Sequence, residues 1–140
     1  MSRPTREQIH ITTAKMWALR SVCKRLKVGA VITDLSMRRV LAVGYNGPAS
    51  GLDHERCNTE EGNCGCLHAE CNAIARVDNT LPGKIIFVTI SPCVMCAQMI
   101  IQAGITKVYY VDEYRDREGL WLLERCHVEV ERIPERLVLT

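Results

Sequence analysis

The sequence predicts an α/β fold: a mixed five-stranded sheet flanked by helices on both faces, in three α/β/α layers. Three observations lead there. Five short apolar runs have the character of strands. Helical patterns separate the last three of these runs, and a strand–helix–strand step implies parallel pairing. The first two runs are joined only by a short polar stretch, which suits an antiparallel hairpin. With 140 residues, a single domain over residues 1–140 is the default, large enough for one core of about this size.

The elements follow in chain order. Residues ~5–24 read as a helix, with Ile9, Thr13, Met16, Trp17 and Arg20 at three- and four-residue spacings and Pro4 suiting its start. Residues 28–33 (VGAVIT) read as a buried strand and 40–45 (VLAVGY) as its hairpin partner, with the polar 34–39 between them. Residues 46–66 form a loop rich in Gly, Asn, charge and Cys. Loops of this length are usually functional or pinned. A helix is expected from Leu67 to about Val77, with Cys71, Ile74 and Val77 on one face, followed by a turn at Pro82-Gly83. The third strand is 85–89. The next helix starts at Pro92, runs from Val94 to Ala103 and stops at Gly104. A strand at 107–111, a short helix at 120–125 and a strand at 128–133 complete the order α-β-β-α-β-α-β-α-β.

Composition excludes several classes of function. Hydrophobic content of 47% and charged content of 24% are ordinary for a globular protein. A net charge of +2 is too small for a protein that coats nucleic acid, so no nucleic-acid partner is expected, while a small anionic ligand needs only a few local cations. The first residues are polar and lack an apolar signal core, and no run approaches the ~20 apolar residues of a membrane span. A cytoplasmic setting without membrane contact is therefore expected. In that setting the eight cysteines read as metal ligands plus buried thiols rather than as disulfides. Cys71 and Cys126 lie in apolar periodic segments and are expected to be buried.

Two motifs carry the chemistry: His68-Ala69-Glu70 and Pro92-Cys93-Val94-Met95-Cys96, with 24 residues between His68 and Cys93. A catalytic zinc site uses three protein ligands and leaves one position open. One imidazole and two thiolates supply three, and two sulfurs in C-x-x-C spacing converge when the first stands at a helix N-terminus. The free N–H groups there favour thiolate. Zinc lowers the pKa of water from 15.7 to about 7, worth roughly 12 kcal/mol toward hydroxide. Glu70 is left over as the catalytic acid–base, a role worth about 10²–10⁴-fold. On a regular helix, residues two apart do not share a face. His68 and Glu70 can therefore serve one site only if it lies beyond the helix end.

This is the H-x-E … P-C-x-x-C signature of zinc nucleobase deaminases. In its wider sequence the chain resembles the cytidine/deoxycytidylate deaminase superfamily, and within it the deoxycytidylate deaminases of bacteria and phages. The resemblance runs through Ser21–Cys23, Lys27–Ile32, Gly44-Tyr45-Asn46-Gly47, His68–Ile74, Ser91–Cys96, Gln102–Ile105 and Tyr109, to about Tyr114. It implies a cytidine deaminase-like fold. It also implies hydrolysis of deoxycytidylate to deoxyuridylate and ammonia, which would supply thymidylate synthesis, and a homo-oligomer. It further implies that Asn46 hydrogen-bonds the sugar, that the Ala69 N–H and Ser91 carbonyl frame the base, and that Tyr114 lies near the nucleotide. Arg25, with Arg115 behind it, is the candidate for a phosphate. Some relatives carry a second, structural zinc. Here its expected ligands are Cys23, Cys57, Cys64 and Cys66, with His54 as substitute.

The rival enzyme readings are a tRNA adenosine deaminase and a deaminase of free cytosine or cytidine. The former fits poorly with the modest charge and with Gly44–Gly47, and the latter has no use for a phosphate-binding cation. A structural zinc module that binds a partner is the non-enzymatic rival, but it leaves Glu70 unexplained.

Overall fold

The computed structural model describes residues 2–61 and 64–140. Met1, and Gly62 and Asn63 of the expected loop, lie outside the described residues. The helices are α1 (Arg6–Ala18), α2 (Ala69–Ile74), α3 (Val94–Gln102) and α4 (Glu118–Arg125). The strands are β1 (Gly29–Thr33), β2 (Val40–Tyr45), β3 (Lys84–Ile90), β4 (Ile105–Asp112) and β5 (Glu129–Arg132). Among the described residues the strands form one five-stranded sheet in the order β2-β1-β3-β4-β5. β1 is antiparallel to β2 and β3, while β3–β4 and β4–β5 are parallel. This is the predicted mixed sheet.

Burial follows position in the sheet. β1 is buried along its whole length and β3 nearly so, whereas the edge strand β5 is mostly exposed. Ile11 and Ala14 of α1 pack with Val31, Ile85, Phe87, Tyr109 and Val111 on one face. On the other, α2, α3 and α4 pack through Ala73, Ile100 and Leu123 against Ala30, Ile32, Ile86, Val88 and Val108. Successive strand residues thus point into opposite layers, as the pleat requires.

α1 departs from expectation twice. It starts where predicted, in a capping box: the Gln8 N–H donates to Thr5 Oγ1 at 3.1 Å and the Thr5 N–H to Gln8 Oε1 at 2.9 Å. It ends at Ala18 rather than near residue 24, because the N–H groups of Leu19, Arg20 and Ser21 tighten onto the Met16, Trp17 and Ala18 carbonyls. The chain then turns away, and the Ser21 hydroxyl donates to the Asn46 carbonyl at 2.8 Å. The buried face is His10, Ile11, Ala14 and Ala18, while Ile9 and Met16 of the predicted stripe are exposed. Close approach selects that face: a Cβ on Gly29 would lie 1.9 Å from the Ala14 carbonyl oxygen.

The second predicted helix is shorter than expected, Ala69–Ile74 with His68 as N-cap. Val77 is still buried, but in the turn that follows. α3 ends before Gly104, whose φ of +75° suits the left-handed position after a helix. Cys126, expected to be buried, is exposed. It caps α4 where the chain reverses toward β5, so its side chain falls outside the core. The long loop is pinned at its base by a bridge between Gly47 and Leu67, with N···O distances of 3.0 and 2.8 Å. Among the described residues no helix is long and apolar enough to cross a membrane.

Candidate metal centre

The two motifs meet at the ends of two helices. His68 is the N-cap of α2 and Cys93 the N-cap of α3, which follows the C-terminal end of the parallel strand β3. Crevices at that end of open α/β sheets are the usual ligand sites. Neither cap residue makes a side-chain capping bond, so both side chains are left for the space beyond the helices. This satisfies the condition that His68 and Glu70 could share a site only past the helix end.

The ligand atoms of His68, Cys93 and Cys96 all lie within 4.8 Å of one another. His68 Nδ1 is 3.2 Å from Cys96 Sγ and 3.5 Å from Cys93 Sγ. With Zn–N near 2.05 Å and Zn–S near 2.3 Å, a tetrahedral ion spaces such atoms roughly 3.5 Å apart. The donor set fits zinc with one position open.

Electrostatics matches this arrangement. Hydrogen bonds from Cys96 and His68 pull the Cys93 thiol down to about 4. The bond to Cys93 raises His68 to about 9, against the effect of burial. The bonds to Cys71 and Cys93 push the Cys96 thiol up. The three groups share strongly coupled protons, which a bound cation would displace. Glu70, only 4% exposed, is held up to about 7 by loss of hydration.

A second cluster lies alongside. The sulfurs of Cys23, Cys57, Cys64 and Cys66 are also within 4.8 Å of one another. Cys23 is 3.7 Å from both Cys57 and Cys64, close to the roughly 3.8 Å edge of a tetrahedral zinc–thiolate site. Backbone N–H groups of Lys24 and Thr59 hold the Cys57 thiol down to about 6, and burial raises Cys64. All four expected residues converge. His54, the expected substitute, is not part of the cluster and sits exposed in a one-turn helix, His54–Arg56.

One cavity joins the two clusters. Its lining includes Cys23, Cys64 and Cys66 of the second cluster and His68, Glu70 and Cys93 of the first. Arg25, Asn46, Ala69, Ser91 and Tyr114 line it too. The Asn46 amide is partly engaged: Oδ1 accepts from the Val28 N–H at 2.8 Å and Nδ2 donates to the Leu26 carbonyl at 2.6 Å. One lone pair and one N–H remain for a ligand. Ser91 Oγ accepts from the Tyr114 N–H at 2.7 Å and fixes the rim. Arg115 does not line this cavity; it pairs with Glu61 at 2.6 Å.

Cys71 stands beside the cluster of His68, Cys93 and Cys96 rather than within the core. Expected to be buried, it is half-buried, and its sulfur stands 3.9 Å from Cys96 and 3.2 Å from the Met99 sulfur. Its bond to Cys96 pulls its thiol down to about 6. The available signal was its position one helical turn beyond His68.

Comparison with known proteins agrees with this geometry. The family model of the cytidine and deoxycytidylate deaminase zinc-binding region matches residues 4–112. ComE operon protein 2 of Bacillus subtilis is 38% identical over 141 residues, covering 95% of this chain and 74% of that protein. The deoxycytidylate deaminase of Mycobacterium phage D29 is 35% identical, covering 81% of this chain and 99% of that protein. The crystal structure of dCMP deaminase from cyanophage S-TIM5, in complex with dCMP and dUMP, superposes with a TM-score of 0.82 at 39% identity, covering 95% of this chain and all of that one.

Proposed function

Because the chain belongs to the cytidine and deoxycytidylate deaminase family, we propose that it hydrolyses deoxycytidylate to deoxyuridylate and ammonia. The observation that carries this is the shared cavity: His68 and Cys93 of the three-residue cluster line it together with buried Glu70, Arg25 and Asn46. The likeness to a phage enzyme bound to dCMP and dUMP supports the same substrate.

In this reading His68, Cys93 and Cys96 hold the zinc, which when bound lowers the pKa of water toward neutrality. Glu70 takes one proton from the attacking water and passes it to the ring nitrogen next to the amino carbon. It then takes the second from the hydroxyl left on that carbon and gives it to the amino group, which departs as ammonia as the C–N bond breaks and the carbonyl forms. Its position near the point of half-ionisation suits both directions of transfer. The Ala69 N–H and the Ser91 carbonyl frame the base, Asn46 and Tyr114 flank the sugar, and the Arg25 guanidinium meets the phosphate. The cluster of Cys23, Cys57, Cys64 and Cys66 holds a second zinc that ties the loop to the segment after α1. Resemblance to the family supports a single-domain, homo-oligomeric cytoplasmic enzyme.

Ammonia release from deoxycytidylate, cytidylate, deoxycytidine, cytosine and deoxycytidine triphosphate, measured side by side, tests the substrate. Deoxycytidylate should have the highest kcat/KM, and Arg25→Ala should lower it for the monophosphate but not for deoxycytidine. Equal turnover of deoxycytidine and its monophosphate would remove phosphate recognition from this reading. Metal analysis tests the second zinc: two ions per chain in the wild type and one in Cys57→Ala.

A further inference from the structure

Cys93 is braced from behind by a residue without a side chain. Gly119, in the first turn of α4, lies against the backbone that leads into α3. A Cβ there would come within 2.1 Å of the Pro92 carbonyl oxygen and 3.0 Å of both the carbonyl carbon and oxygen of Cys93. The obstruction is backbone, so no side-chain rotation relieves it. Nor can α4 withdraw freely, since Leu120 and Leu123 are buried at 2% and 0% exposure. The Gly119 φ is not positive, and in a helix interior alanine is favoured over glycine. Local conformation therefore gives no reason for glycine here; the close approach does.

We infer that Gly119 is a positioning residue for the metal centre, setting through the Pro92–Cys93 peptide where the Cys93 sulfur stands relative to His68 and Cys96. This rests on Cys93 being a zinc ligand, as proposed above. On its far side Cys93 is held to α3, its carbonyl accepting from the Ala97 N–H at 2.8 Å. On its near side Pro92 is stopped by α4. The Cys93 thiol makes no capping bond, so these two restraints set the backbone from which it reaches His68, 3.5 Å away.

The test compares Gly119→Ala with Gly29→Ala, which meets a similar clash, 1.9 Å from the Ala14 oxygen, on a helix that carries no ligand of this cluster. The full chain is loaded with cobalt(II) and titrated with a chelator. The spectrum of His68→Ala is subtracted to remove cobalt held by the four-cysteine cluster. Gly119→Ala should bind cobalt about 10–100-fold more weakly, the range for groups that orient metal ligands. Its sulfur-to-cobalt charge-transfer band should shift while its far-ultraviolet circular dichroism matches the wild type. Gly29→Ala should lower Tm and keep cobalt affinity within about twofold. The inference is overturned if Gly119→Ala also stays within about twofold, or if the two variants weaken binding equally. It is overturned too if Gly119→Ala does not fold with or without cobalt, since the contact then holds the fold rather than the ligand. If His68→Ala leaves the charge-transfer spectrum unchanged, the ligand assignment itself fails, a result separable from the others because it appears before any glycine variant is read.

Discussion

Glu70 shows how one residue's environment sets its chemistry. It stands in the first turn of α2, two residues after the N-cap His68, and lines the cavity, yet it is only 4% exposed. Burial brings its carboxyl up to about 7 although the neighbouring His68 opposes the rise, and there it can both accept and release a proton. Glu70→Gln should lower kcat by about 10²–10⁴ while zinc content stays at the wild-type level, as ammonia release and metal analysis on one preparation would show. Cys71 makes the opposite case. It touches Cys96 but lies outside the convergent set of three residues proposed as ligands. Cys71→Ala should keep its zinc and turn over within about threefold of the wild type, because a three-ligand site with an open position is already complete. Loss of one zinc in that variant would make Cys71 a ligand.

At the scale of elements, the site depends on segments that are not themselves catalytic. The turn between α2 and β3 is organised by Asp78, whose carboxylate accepts from the Thr80 hydroxyl at 2.6 Å and the Thr80 N–H at 2.9 Å. These bonds hold its pKa below the usual carboxylate value. A lowered carboxylate pKa stabilises the fold above the unfolded-state value, and the gain is lost as pH falls through the folded-state value. Asp78→Ala should therefore have a lower Tm than the wild type at pH 7, and the gap should close as the pH falls below the ordinary carboxylate range and the Asp78 carboxylate is protonated. A gap that persists there would assign the effect to packing instead. The same turn wraps buried Lys84, whose ammonium donates to the Leu81 and Asp78 carbonyls at 3.2 and 3.4 Å. The loop 46–66 is held from two sides, by its bridge at Gly47 and Leu67 and by the thiol cluster.

Across the whole molecule, the two layers of helices have different tasks. α2 and α3 bring His68, Glu70, Cys93 and Cys96 to one end of the sheet, while α1 closes the opposite face. Phe87 lies at the centre of that second layer, 4.8 Å from the Tyr109 ring and 5.1 Å from His10. Phe87→Ala removes a fully buried aromatic side chain and should cost about 3–5 kcal/mol of stability. Denaturant unfolding would measure this. Metal affinity per folded molecule should be unchanged, because Phe87 points away from the layer that carries the ligands.

Much of this was legible in the sequence. Strand order along the chain, hairpin against crossover connections, and the metal-ligating motifs are all local or short-range features, and hydrophobic period and spacing encode them directly. His68, Cys93, Cys96 and the four further cysteines were each recognisable by type and position. Tertiary structure decided what depends on neighbours distant in sequence. It chose the buried face of α1 by its approach to Gly29, and it tied the segment after that helix down through Ser21 and Asn46. It left Cys126 in solvent and drew Cys71 up to Cys96. It also assigned Arg25 to the cavity and Arg115 to an ion pair with Glu61. Residue type states what a side chain can do chemically, but which partners it meets is set by the packing of elements, and no local pattern records that.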